Sequence, residues 1–145
     1  MKKLYLILII LPLMAACAGG SAGPEGSNAL TEADLLQKNF TLVSVNGKAF
    51  AAKGRMPSIH FGDNMRVTGQ VCNRFMGNGS LKDGVLTVPQ MASTMMLCAD
   101  NNLNRLEGEF GAIMREGASI SLKDDRLIIS KGATTLEYVR SEPEK

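Results

Sequence analysis

The sequence predicts an α+β, mainly β domain: a small antiparallel β-barrel-like sheet with one packed α-helix and a short N-terminal helix. Three observations carry that expectation. Short runs alternating apolar and polar residues recur from residue 40 onward, separated by Gly, Asn and Asp turn signals. Only Asn101 to Glu116 shows sustained helical periodicity. A parallel sheet would need a crossover, usually a helix, between successive strands, and one long helix is too few.

The chain opens with a secretory pattern. Lys2 and Lys3 precede an apolar run over residues 4–13, interrupted by Pro12, and Met14-Ala15-Ala16-Cys17 follows. The run is too short for a membrane-spanning helix, which needs about 20 apolar residues. Two small residues before a cysteine resemble a bacterial lipoprotein cleavage box. Residues 1–16 are therefore expected to be removed and Cys17 acylated, the alternative being an ordinary cleavage that leaves Cys17 a spare thiol. Ala18 in place of Asp resembles the pattern for sorting to the outer membrane. The expected location is the cell envelope, lipid-anchored and facing the periplasm. Residues 17–29, rich in Gly, Ala and Ser, form the lipidated start and a flexible tether with a reach of roughly 20 Å. One domain is expected over 30–140, closed by a polar tail at 141–145.

The elements follow in order. Thr31-Glu32-Ala33-Asp34 fits a capping box, with Leu35 and Leu36 beginning a short helix. Residues 40–45 alternate as a strand and Asn46-Gly47 turns it. Residues 57–61 and 65–72 read as strands about Gly62-Asp63-Asn64, and 81–88 as two pieces about Asp83-Gly84. In the long helix, Leu103, Leu106, Phe110, Ile113 and Met114 share one face. Asp100 or Asn101 suits its start and Gly117 its end. Gly108 and Gly111 weaken it by up to about 1 kcal/mol each relative to Ala, so packing must hold it. Strands at 119–122, 126–130 and 134–139 close the domain, with turns at Lys123-Asp124-Asp125 and Lys131-Gly132.

Charge and cysteine usage narrow the function. The chain carries 16 basic and 14 acidic residues. Without Lys2 and Lys3 the mature chain has 16 − 2 = 14 basic against 14 acidic residues, a formal net charge of zero. No cluster of Lys and Arg suits phosphate binding, so nucleic acid is not an expected partner. Setting Cys17 aside leaves Cys72 and Cys98 in an oxidising compartment, where a disulfide is the expected state. Such a bridge closes a loop of roughly 27 residues and stabilises by about 3.5 kcal/mol on the loop-entropy account. The competing reading, a reactive or metal-binding thiol pair, would favour closer spacing or nearby His.

The stretch from Thr68 to Gly77, containing Gly69, Cys72-Asn73, Phe75 and Gly77, resembles the core motif of the META domain family. Thr94-Met95-Met96-Leu97-Cys98 resembles that family's second signature, and Leu42 to Lys48 its opening strand and turn. Phe40 stands where many members carry Trp. The resemblance covers nearly all of 30–140. It implies a small antiparallel barrel-like sheet with a packed helix, and an envelope protein linked to heat or drug stress without an established reaction. Gly69, Gly77 and Gly79 are expected to supply turns or close backbone approach. Asn73 suits a bend whose backbone groups need a side-chain partner. Asn73 and Arg74 are also the candidates for contact with an envelope protein or small ligand.

Catalytic patterns are thin. His60, the single histidine, lies between Ile59 and Phe61, so alternation turns it away from their face and toward solvent. A nucleophile elbow and a phosphate-binding loop are both missing from the sequence. Asp34, Asp124 and Asp125 occupy cap or turn positions. The expectation is a non-enzymatic binding or structural role in stress response, with no cofactor and no metal. The alternative is a redox or copper module, using the thioethers of Met91, Met95 and Met96 with the cysteines, because soft sulfur ligands suit Cu(I). Methionines also fill irregular cores.

Overall fold

A computed structural model describes residues 29–143. The expected cleavage site, the expected acylation at Cys17 and all but the last residue of the expected tether lie outside the described residues.

The capping box forms at Thr31: its backbone N–H and hydroxyl both donate to the Asp34 carboxylate, at 2.8 and 2.7 Å. These bonds hold the Asp34 carboxyl below its ordinary value. The helix α1 (Glu32–Leu35) is a single turn, and the leucines end it where the sequence had them begin it. Gln37 adopts a left-handed conformation and donates its N–H to the Phe61 carbonyl at 2.6 Å, which draws the chain into the sheet. There β1 (Lys38–Val45) turns at Asn46-Gly47 into the two-residue β2 (Lys48–Ala49). Asn46 and Gly47 both have positive φ, as a tight hairpin requires.

β3 (Ser58–Phe61) and β4 (Arg66–Gln70) flank a 3-10 turn at Asp63–Met65, and β5 (Arg74–Asn78) follows the bend at Cys72-Asn73. After β6 (Ser80–Lys82), the Asp83-Gly84 turn leads to β7 (Val85–Thr87) and then β8 (Ala92–Ser93). The long helix α2 (Asn101–Glu116) matches its expected bounds. β9 (Ala118–Lys123), β10 (Arg126–Lys131) and β11 (Thr134–Ser141) form the closing meander. β11 runs into the expected tail, because Ser141 pairs with Asn39 and its hydroxyl meets that of Thr41 at 3.0 Å.

All pairings are antiparallel, along the path β6-β7-β9-β10-β11-β1-β3-β4-β5-β8, with β2 attached to β1. β5 and β6 sit near opposite ends of that path, yet one residue, Gly79, joins them. A link that short brings the two sides together, so the sheet curls into an open barrel. The inward rows include Phe40, Ile59, Phe61, Val67, Leu127, Ile129, Leu136 and Tyr138, all essentially buried. Phe40 and Phe61 meet edge to face at 6.1 Å.

α2 lays its expected apolar face on this core, with Leu103, Leu106, Phe110, Ile113 and Met114 buried. The Asp100 side chain caps its start by accepting the Asn102 N–H at 2.9 Å. That bond, helped by the Lys53 N–H, lowers the Asp100 carboxyl below its ordinary value. Gly117 ends the helix at φ 96°.

Candidate functional site

The two cysteine-containing segments come together at the mouth of the barrel. Cys72 lies in the bend between β4 and β5, Cys98 just before α2, and their sulfurs are bonded with Cα atoms 5.9 Å apart. In this state neither sulfur is a thiolate, so the cysteines supply no soft ligand for copper.

Asn73 is 6% exposed, the one polar or charged residue among the buried side chains of the described residues. Its Oδ1 accepts the Met96 N–H at 2.7 Å and the Thr94 hydroxyl at 3.0 Å, while its Nδ2 donates to the Met96 carbonyl at 3.0 Å. A side-chain amide thus pairs with the backbone of the 94–98 segment much as a strand would. β8 makes only two pairs with β5, so Asn73 continues the ladder where the strand gives out. Arg74 adds backbone to it: its carbonyl accepts the Thr94 N–H at 3.0 Å and its own N–H donates to the Thr94 hydroxyl at 3.2 Å.

α2 supplies the floor. The Glu107 carboxylate accepts the backbone N–H groups of Cys72 and Asn73 at 2.7 and 2.9 Å. One turn earlier, Asn104 accepts the Cys98 N–H at 2.9 Å and donates to the Cys98 carbonyl at 2.8 Å. Phe75 stacks in a tilted arrangement on Phe110, with centroids 4.8 Å apart. Sequence reasoning placed Thr94 in the second signature but did not single out Glu107 or Asn104. The available signal was Asn104 and Glu107, three positions apart on the flank of the apolar stripe, where a polar side chain still reaches the neighbouring loop.

The expected contact pair is thus divided. The hydrogen-bonding groups of Asn73 are directed at residues 94–96, whereas Arg74 is exposed. The side chains of Met95, Met96 and Leu97 stand outside the network, these residues being 95%, 67% and 89% exposed. They border an open depression of about 360 Å³ that Asn73 and Glu107 also line. A separate groove of about 510 Å³ runs between the β1–β2 hairpin and α2, past Lys48, Phe50, Arg105 and Glu109. None of residues 72–74 or 94–98 lines it.

Gly69 and Gly77 serve close approach rather than turns. A Cβ on Gly69 would collide with the Ser58 carbonyl and lie 2.8 Å from the Phe75 ring; one on Gly77 would strike Val88. His60 faces away from Ile59 and Phe61 as expected, but it is half-buried instead of solvent-directed. It stands between Asn39 and Thr68 on the two neighbouring strands. Among the described residues its buried Nδ1 has no hydrogen-bond partner, so none of their acids orients the ring through that nitrogen. Among the described residues, no three His, Cys, Asp or Glu side chains gather as a metal-binding group.

A bend closed by Cys72 and Asn73, tied to a Thr-Met segment ending in Cys98, is the arrangement that the two sequence signatures anticipate. The family model described as META domain matches residues 33–143. The chain belongs to the META domain family. A curated relative, "Heat shock protein HslJ" of Escherichia coli (strain K12), is 36% identical over 138 residues, 95% of each chain. An NMR structure of a protein 37% identical in sequence superposes with a TM-score of 0.71, over 76% of this chain and 94% of that one. An NMR structure of a protein from Burkholderia xenovorans, at 18% identity, covers 99% of this chain and 100% of the other with a TM-score of 0.61, and shares the fold. In this META domain the family motif builds a staple and a loop support.

Proposed function

We propose that this META domain protein is an envelope lipoprotein, anchored through Cys17, that acts by binding a partner or ligand under heat or related stress and catalyses no reaction. The observation that carries this reading is the use made of the motif's polar groups. Asn73, Thr94, Asn104 and Glu107 spend their hydrogen bonds on backbone or on one another, leaving an apolar loop presented on a rigid base. Exposed apolar side chains grouped in this way suit contact rather than chemistry. The relationship to a heat-shock protein supports the stress assignment, and the lipoprotein-like leader supports the location.

The test is complementation of a deletion strain at elevated temperature. The wild-type chain is expected to restore growth and to carry radiolabelled fatty acid in the membrane fraction. Cys17→Ala should lose both label and rescue. Met95→Ser/Leu97→Ser should keep the label, remain folded and lose rescue. Full rescue by both variants, or turnover of a substrate by the purified protein that one polar substitution abolishes, would overturn the proposal.

A further inference from the structure

The exposed sulfurs of the 94–98 segment point to a chemistry of their own. The described thioethers fall into distinct environments. Met95 is 95% exposed and Met96 67%, whereas Met65 and Met114, inside the core, are 2% and 0% exposed. Met76 is intermediate at 49%, and its Sδ accepts a hydrogen bond from the Arg66 guanidinium at 3.5 Å. Thioether oxidation requires a sulfur lone pair to attack an electrophilic oxygen, so access sets the rate and a cation on the lone pair slows it. Cys72 and Cys98 are already joined. The readily oxidised sulfurs left at this end of the barrel are those of Met95 and Met96.

The backbone geometry says what oxidation would change. Met96 is fixed at both its N–H and its carbonyl by Asn73, Thr94 by Arg74, and Cys98 by Asn104 and the disulfide. Neither Met95 nor Met96 uses its sulfur to hold the loop in place. An added oxygen therefore alters the surface and leaves its support intact. The sulfoxide is polar where the thioether is apolar, so a patch of Met95, Met96 and Leu97 becomes a largely polar one.

We propose that Met95 and Met96 form an oxidant-reactive modification site, taking oxygen from peroxide-class oxidants and so switching the loop face from apolar to polar without unfolding the domain. In each step the thioether lone pair attacks one peroxide oxygen. An S–O bond forms, the O–O bond breaks, and the departing hydroxide takes up the remaining proton as water. Sulfur loses two electrons and the peroxide gains them. The inference stands apart from the stress-binding role, because it needs only the loop's geometry.

The test is a time course of the purified full chain with hydrogen peroxide, read by peptide mass mapping. Met95 and Met96 should gain oxygen at least about tenfold faster than Met65 and Met114, with Met76 between them. Arg66→Ala should speed oxidation at Met76 several-fold and leave Met95 unchanged. The doubly oxidised protein should keep its circular dichroism spectrum and melting midpoint while eluting earlier from a hydrophobic column. Core methionines reacting as fast as Met95, an unchanged Met76 rate in Arg66→Ala, or unfolding on loop oxidation would each overturn the proposal.

Discussion

Asn73 shows how one side chain can hold a loop. Its three bonds to Thr94 and Met96 replace a strand that ends at Ser93. Removing the amide leaves the Met96 N–H and carbonyl unpaired in a partly buried place, where an unsatisfied group costs up to about 1–3 kcal/mol. Asn73→Ala is expected to destabilise by roughly 2–3 kcal/mol and to expose residues 94–97 to limited proteolysis before global unfolding. Asn73→Asp should do no better, since it sets a carboxylate oxygen against the Met96 carbonyl and adds charge beside Glu107. A variant as stable and as protease-resistant as wild type, measured by urea denaturation and digestion, would contradict this role. The sequence hinted at it through an Asn at a predicted bend. Which backbone groups it would satisfy was not legible, because they lie more than 20 positions away.

Among the elements, α2 and β5 use glycine for opposite reasons. Gly108 lies on the exposed face of α2, where an added Cβ would meet nothing within 4 Å. Gly108→Ala is expected to raise stability by about 0.5–1 kcal/mol, from helix propensity and a less flexible unfolded chain. Gly77 in β5 has Val88 where its Cβ would go, with Gln90 O at 3.1 Å. Gly77→Ala should therefore lower stability by roughly 1–3 kcal/mol through overpacking. Thermal melts of the two variants shifting the same way would refute the contrast. Periodicity marked α2 to within its observed ends. It did not mark β5, where Arg74, Gly77 and Asn78 give weak strand propensity and pairing with β4 decides the matter.

For the whole molecule, the bridge between Cys72 and Cys98 ties the β4–β5 bend to the start of α2 across the open mouth of the barrel. Among the described residues the edges β6 and β8 each pair on one side, so the hydrogen-bond ladder leaves the sheet open. A cross-link there restricts the unfolded chain and also fixes the loop that Asn73 supports. Cys72→Ser/Cys98→Ser is expected to lose about 3 kcal/mol, with a melting midpoint lower by on the order of 15 °C. Wild-type protein under reductant should follow it. A midpoint indifferent to reductant would show that the bridge contributes nothing to stability.

The sequence by itself determined what depends on near neighbours. The capping box at Thr31, the tight turns at Asn46-Gly47 and Asp83-Gly84, the apolar face of α2 and most strands all follow from residues within a turn or two of one another. Two ordered motifs carrying Cys72 and Cys98 also sufficed to suggest the family. Tertiary structure alone decided the strand order, the curl imposed by the Gly79 link, the half-burial of His60 and the partners Glu107 and Asn104. Those features join residues far apart in the chain, and their pairing depends on how distant surfaces fit together, which no local pattern encodes.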